Sequence, residues 1–160
     1  MATITKKKIL TQPQFGGTPY GNLTTLPFNV TSTSTGAIAD SDSTAAVTAA
    51  DKIRVGVLPA GMKLIDALMI VSNAFTATAT AKVGFEYVDG VDDTAVPQDA
   101  DYFAAALAVN ALGRTRANNT AVAPVTLPKD AYLVIDWDVA SNAEAGVLDI
   151  FVEGILNGPP

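Results

Sequence analysis

From Lys52 onward apolar and polar residues alternate with a period of two. Ile53, Val55 and Val57 face one way and Lys52, Arg54 and Gly56 the other, which predicts a strand with one buried face. Pro59-Ala60-Gly61 predicts a turn, and Leu64 to Val71 is apolar on both faces apart from Asp66, the pattern of a strand covered on both sides. Thr76 to Tyr87 sets Ala81, Val83, Phe85 and Tyr87 against Lys82, Gly84 and Glu86, and Asp89-Gly90 closes it. Ala131 to Val139 sets Leu133, Ile135, Trp137 and Val139 against Tyr132, Val134, Asp136 and Asp138. Gly146 to Ile155 sets Leu148, Ile150 and Val152 against Val147, Asp149, Phe151 and Glu153. Val122 to Leu127, interrupted by Pro124, reads as a short edge strand. The one predicted helix runs from Pro97 to Ala108, with Asp99 as its cap and a run of alanines that lose little entropy on becoming helical. Short strands at near-regular spacing predict an all-β fold, an antiparallel β-sandwich of jelly-roll type with one short helix.

The N-terminal third follows another pattern. Ile9 to Ala39 contains no charged residue, and Pro13, Gly16, Gly17, Pro19, Gly21 and Pro27 come too closely for a helix. Residues 1–44 are therefore expected as an extended arm and linker, and residues 45–160 as the sandwich domain. The arm's Phe15, Tyr20, Leu23, Leu26 and Phe28 are too dispersed for a core of their own and must pack elsewhere. They either fold back over their own domain or lie across a neighbouring chain.

Composition removes much chemistry. The 160-residue chain has no cysteine and no histidine, so disulfides, thiolate nucleophiles, Cys/His metal sites and imidazole acid-base catalysis are all excluded. The first thirty residues hold three lysines and no acid, whereas the remainder holds seven basic residues against sixteen acidic ones, a balance of −9. A body of that charge repels nucleic acid, and its basic residues are too thinly spaced to line a phosphate-binding face. Lys6-Lys7-Lys8 is followed by no apolar run, so no secretory signal is expected, and Ala67 to Ala81 is too short and too polar to span a bilayer.

Carboxylates are the only titratable groups present in number. Asp89, Asp92, Asp93, Asp99 and Asp101 are hard oxygen ligands that could hold calcium, but their spacing matches no loop motif and reads better as a solvated acidic loop. Asp136 and Asp138 share a strand face about 7 Å apart, a separation compatible with glycoside hydrolysis. Alternating acids on the wet face of a strand are the simpler account. Gly16-Gly17 and Gly154 form no phosphate-binding loop, and no cofactor or metal is expected.

The segment Asp51-Lys52-Ile53-Arg54-Val55-Gly56-Val57-Leu58-Pro59-Ala60-Gly61-Met62-Lys63-Leu64 resembles a structural protein of tailed bacteriophages. Asp101-Tyr102-Phe103-Ala104-Ala105-Ala106 and the closing strand at Gly146 to Gly154 extend the likeness from about Ala45 to Ile155. Such proteins are capsid decoration, or cement, proteins, β-sandwiches that sit as dimers or trimers on the outside of a phage head. The resemblance implies a structural and non-enzymatic virion protein, made in the host cytoplasm and placed on the outer capsid surface. Its expected partners are the major capsid protein and further copies of itself, as a homo-dimer or homo-trimer, and neither nucleic acid nor membrane. Docking is expected from the arm, with Lys6, Lys7 and Lys8 making electrostatic contact and Phe15, Tyr20, Leu23, Leu26 and Phe28 filling shallow pockets. The alternative is a receptor- or carbohydrate-binding module of a tail fibre, in which Trp137 or Tyr132 stacks on sugar.

Overall fold

The structure is a computed structural model and describes residues 2–7, 23–119 and 123–156. Ten strands follow in chain order: β1 (Thr3–Thr5), β2 (Leu23–Thr31), β3 (Lys52–Leu58), β4 (Met62–Asn73), β5 (Thr80–Tyr87), β6 (Asp99–Leu107), β7 (Gly113–Arg116), β8 (Val125–Thr126), β9 (Ala131–Asp138) and β10 (Val147–Leu156). They form two sheets, β1-β3-β9-β5-β6 and β2-β10-β4-β7, with β8 also pairing β4. All pairs are antiparallel except β1 with β3. The arrangement is a jelly-roll-like β-sandwich.

The period of two explains the core. Ile53, Val83, Phe85, Leu133, Ile135 and Trp137 from the five-stranded sheet meet Phe28, Val30, Leu64, Met69, Leu148 and Ile150 from the other, all within one buried cluster. Phe75 and Trp137 lock edge to face at 5.2 Å, and the Trp137 indole donates to Ala140 O at 2.8 Å.

One-residue bulges in β3 and β4 interrupt the alternation. Arg54 pairs with Val134 but Gly56 with Leu133, so the alternation shifts and Leu58, rather than the expected Val57, points into the core. In β4, Asp66 pairs with Glu153 but Leu64 with Gly154, which leaves Ile65 as the extra residue and turns it to solvent.

The segment expected as a helix is strand β6. Alanine's helix preference is weak, and the pairing of β6 with β5, together with burial of Tyr102, Phe103, Ala104 and Leu107, overrides it. The strand is strongly irregular: Val83 pairs with Ala104 while Phe85 pairs with Asp99. The surplus backbone folds over the sheet, so that a Cβ on Gly84 would lie 2.1 Å from Asp99 O. This cover accounts for Val134, the partner of Gly84 on β9, being fully buried although it points away from the core.

Residues 23–44, expected within the arm and linker, belong to the sandwich of their own chain. β2 pairs with β10 along its whole length, and Ala37, Ile38 and Val47 are buried behind isolated bridges at Ser32–Ile38 and Ala37–Ala46. The pairing is nonlocal, joining residues more than a hundred positions apart, and no local pattern announces it.

The loops divide between two ends. At one end lie residues 33–36, 45–50, 74–79, 108–112 and 139–145, held across the sheets by Phe75 N to Val109 O at 3.0 Å and Asn142 N to Val47 O at 2.8 Å. At the other lie residues 59–61, 88–98 and 127–130, joined by Val88 N to Asp130 O and Gly61 N to Leu127 O.

Candidate docking surfaces

The predicted arm residues are spread over different environments. Lys6 is half-buried along the β1 edge and donates from Nζ to Ala39 O at 3.2 Å. Burial lowers its pKa from the usual lysine value, with Asp40 pulling the other way. Lys7 is exposed, and its amide donates to Asp40 O. Leu23 opens β2 at 66% exposure, Leu26 packs half-buried against the core, and Phe28 is 4% exposed within it. Phe28 therefore fills a pocket of its own chain and not a neighbour's, because the inward face of β2 is the one that alternation gives it. Lys8, Phe15 and Tyr20 lie outside the described residues.

The outer face of the five-stranded sheet carries a charge network. Glu86 accepts from Lys52 Nζ at 2.8 Å and from Arg54 Nε at 2.5 Å, and Arg54 lies over the Tyr132 ring at 4.9 Å. Burial alone would raise the Glu86 pKa, but the bonds from Lys52 and Arg54 outweigh it and hold the carboxyl below the usual glutamate value. Asp136 is 3.9 Å from Lys52, and its Oδ1 has no hydrogen-bond partner. Desolvation raises its pKa, and the opposing pull of Lys52 does not cancel this. Asp138 is exposed at the end of the strand, so the two acids sit in unlike surroundings.

This network has a testable pH signature. A folded-state pKa below the unfolded one means that the contribution of Glu86 is present above the ordinary glutamate pKa and is lost as pH falls through the lower, folded value. Glu86→Gln is expected to destabilise the protein near pH 7 by about 1 kcal/mol, after allowance for solvent screening of a partly exposed pair. The gap between the melting temperatures of wild type and variant should shrink as pH falls below about 4.3. A gap that is constant with pH would show that the ion pairs contribute nothing.

The acidic loop turns its carboxylates to its own chain. Asp89 Oδ2 pairs with Lys129 at 2.8 Å, Asp92 Oδ1 accepts from Gln98 N at 2.8 Å, and Asp93 Oδ1 accepts from Ala95 N and Val96 N. Burial raises the Asp99 pKa, and the neighbouring Asp101 carboxyl adds to the rise. Among the described residues no three carboxylates converge as a metal site would need. Desolvation together with Asp93, Asp92 and Asp89 raises the Tyr87 pKa, which records the negative potential of this end.

The outer face of the four-stranded sheet carries a row of apolar residues. Pro27, Phe151, Leu68 and Arg116 form one cross-strand row, and Asn29, Asp149, Ile70 and Arg114 the next. The sequence signal for this face is the apolar residues on both sides of Leu64 to Val71. Arg116 pairs with Asp66 and reaches Glu153 at 3.5 Å. A cleft of about 320 Å³ beside this row is lined by Ile65, Asp66, Tyr102, Phe103 and Arg116, and its two charges are spent on each other. No helix of the described residues is long and apolar enough to cross a membrane.

Fold and surface together define a jelly-roll-like β-sandwich whose described polar groups mostly satisfy one another. No protein-family model and no curated protein matches the chain. Among solved structures it is similar to a chain in the capsid of Ralstonia phage GP4, with 16% identity and a TM-score of 0.66, covering 98% of this chain and 99% of that one. It is also similar to a chain of the cyanophage Pam1 capsid asymmetric unit, with 16% identity and a TM-score of 0.58, covering 91% and 94% respectively. At these identities the likeness establishes the fold.

Proposed function

We propose that the chain is a structural virion protein that binds the outside of a phage capsid, where it meets the major capsid protein and stabilises contacts between capsid subunits without enzymatic activity. The observation that carries this reading is the end-to-end match of the fold with the chain from the GP4 capsid, which leaves neither protein with an unmatched domain. Many copies that bind the assembled shell but not its free subunits favour the intact head by mass action. The tail-fibre alternative has less support, since Trp137 is buried and Tyr132 lies under Arg54, so neither ring offers a free platform for a sugar.

Copies associate with one another through the outer face of the four-stranded sheet. Its apolar row at Pro27, Phe151 and Leu68 lies beside Asp149 and Arg114, opposite charges on either side of Ile70, which suits a self-complementary contact. Light scattering of the purified protein should give a dimer or trimer, and Phe151→Lys should reduce it to the monomer. A strict monomer at high concentration would contradict the association. The decoration reading itself is tested by co-sedimentation with heads of the virus that carries the gene, produced without it. Saturable binding is expected, and no binding would overturn the reading.

A further inference from the structure

We propose that the uncharged loop end of the sandwich is the surface that seats on the shell, against an uncharged and largely apolar protein patch; this rests on the decoration reading and names its contact face. Across residues 33–36, 45–50, 74–79, 108–112 and 139–145 the only charged residue is Glu144, and exposed Asp138 borders them beside Val139. The opposite end carries Asp89, Asp92, Asp93 and Asp130 against Lys129. The loop end is thus cheaper to dehydrate than the other, because it carries fewer charges and removing an unpaired charge from water costs far more than removing small neutral side chains. The five loops together are the size of one side of a standard interface, about 20–30 residues. Leu112, at 68% exposure, and Val139, at 64%, supply large apolar contacts there.

The end is also built to be rigid. Buried Asn142 accepts from the amide and hydroxyl of Thr76, donates to Gly36 O and Glu144 O, and bonds Val47 O through its own amide. One residue therefore ties four of the five loops, and Phe75 N to Val109 O ties the fifth. Ala50, Thr78 and Val139 all adopt left-handed backbone, with φ of 72°, 69° and 69°, a conformation costly for any residue with a Cβ and most of all for the β-branched pair. Strain held in place by the surrounding structure concentrates at binding surfaces. Alanine, serine and threonine side chains lose little entropy on contact, so a pre-set surface of this composition binds at small ordering cost. The shell is the fitting occupant because a second copy already has the charge-registered sheet face, whereas this end has no charge pattern to set a symmetric pair.

The test uses the full chain and heads of the virus that carries the gene, produced without it. Leu112→Lys with Val139→Lys is expected to weaken co-sedimentation at least about ten-fold, since each buries an unpaired charge. Ala77→Lys, on a third loop, should weaken it independently. Asp89→Lys with Asp92→Lys, at the far end, should leave binding unchanged, and wild-type binding should change little between low and high salt. Melting curves check that each variant is folded. Folded loop-end variants that bind like wild type would overturn this inference and leave the decoration reading standing. Wild type that does not bind heads at all would overturn the decoration reading itself.

Discussion

Replacing Trp137 with alanine is expected to lower stability by about 3–5 kcal/mol, the usual cost of deleting a fully buried tryptophan. Its ring is 1% exposed, stacks edge to face on Phe75, and anchors the β9 turn through Ala140 O. In a domain of this size each kcal/mol shifts the melting temperature by roughly 2–4 °C, so the drop should be roughly 6–20 °C. Trp137→Phe keeps an aromatic ring beside Phe75 but loses the indole bond and the volume of the second ring, so it should recover part of the deficit. Trp137 is the only tryptophan, and its fluorescence should therefore move from blue-shifted to red-shifted in step with circular dichroism as the wild type melts. An alanine variant that melts like wild type would mean that Trp137 does not hold the core together.

Gly84→Ala should be nearly as damaging although it adds one methyl group. The new Cβ would stand 2.1 Å from Asp99 O and 2.4 Å from Ala100 C, and backbone cannot swing aside as a flexible side chain can. The irregular stretch of β6 must then lift off the sheet and uncover Val134. A loss of about 1–3 kcal/mol or more is expected, in the range of overpacked cores. Gly113 is the control, since a Cβ there meets nothing within 4 Å, and Gly113→Ala should be close to neutral. Equal melting temperatures for the two variants would refute the cover that β6 lays over the outer face.

Gly84 also marks the limit of what the sequence discloses. Alternation placed most of β3, β5, β9 and β10, because a half-buried strand writes its two faces into neighbouring residues. It could not place the bulges at Val55 and Ile65, since a one-residue shift is defined by the partner strand and leaves no local trace. The alanine run of β6 carried a helical preference that pairing with β5 overruled. Phe28 looked like an unattached aromatic for the same reason that β2 looked like an arm: its partner Ile150 stands far along the chain. The uncharged end was legible only in pieces, as five separate loops with almost no charge, and the fold is what gathers them.

The position of the protein on the virion decides between decoration and a tail-fibre role. Electron cryomicroscopy of heads of the virus that carries the gene, made with and without it, measures this directly. Sandwich-shaped density repeated over the outer shell surface is expected, with the sparsely charged loops facing inward and the acidic end facing solvent, and a bare but closed shell when the gene is deleted. Density confined to tail fibres, or the absence of any assembled shell on deletion, would contradict the decoration reading.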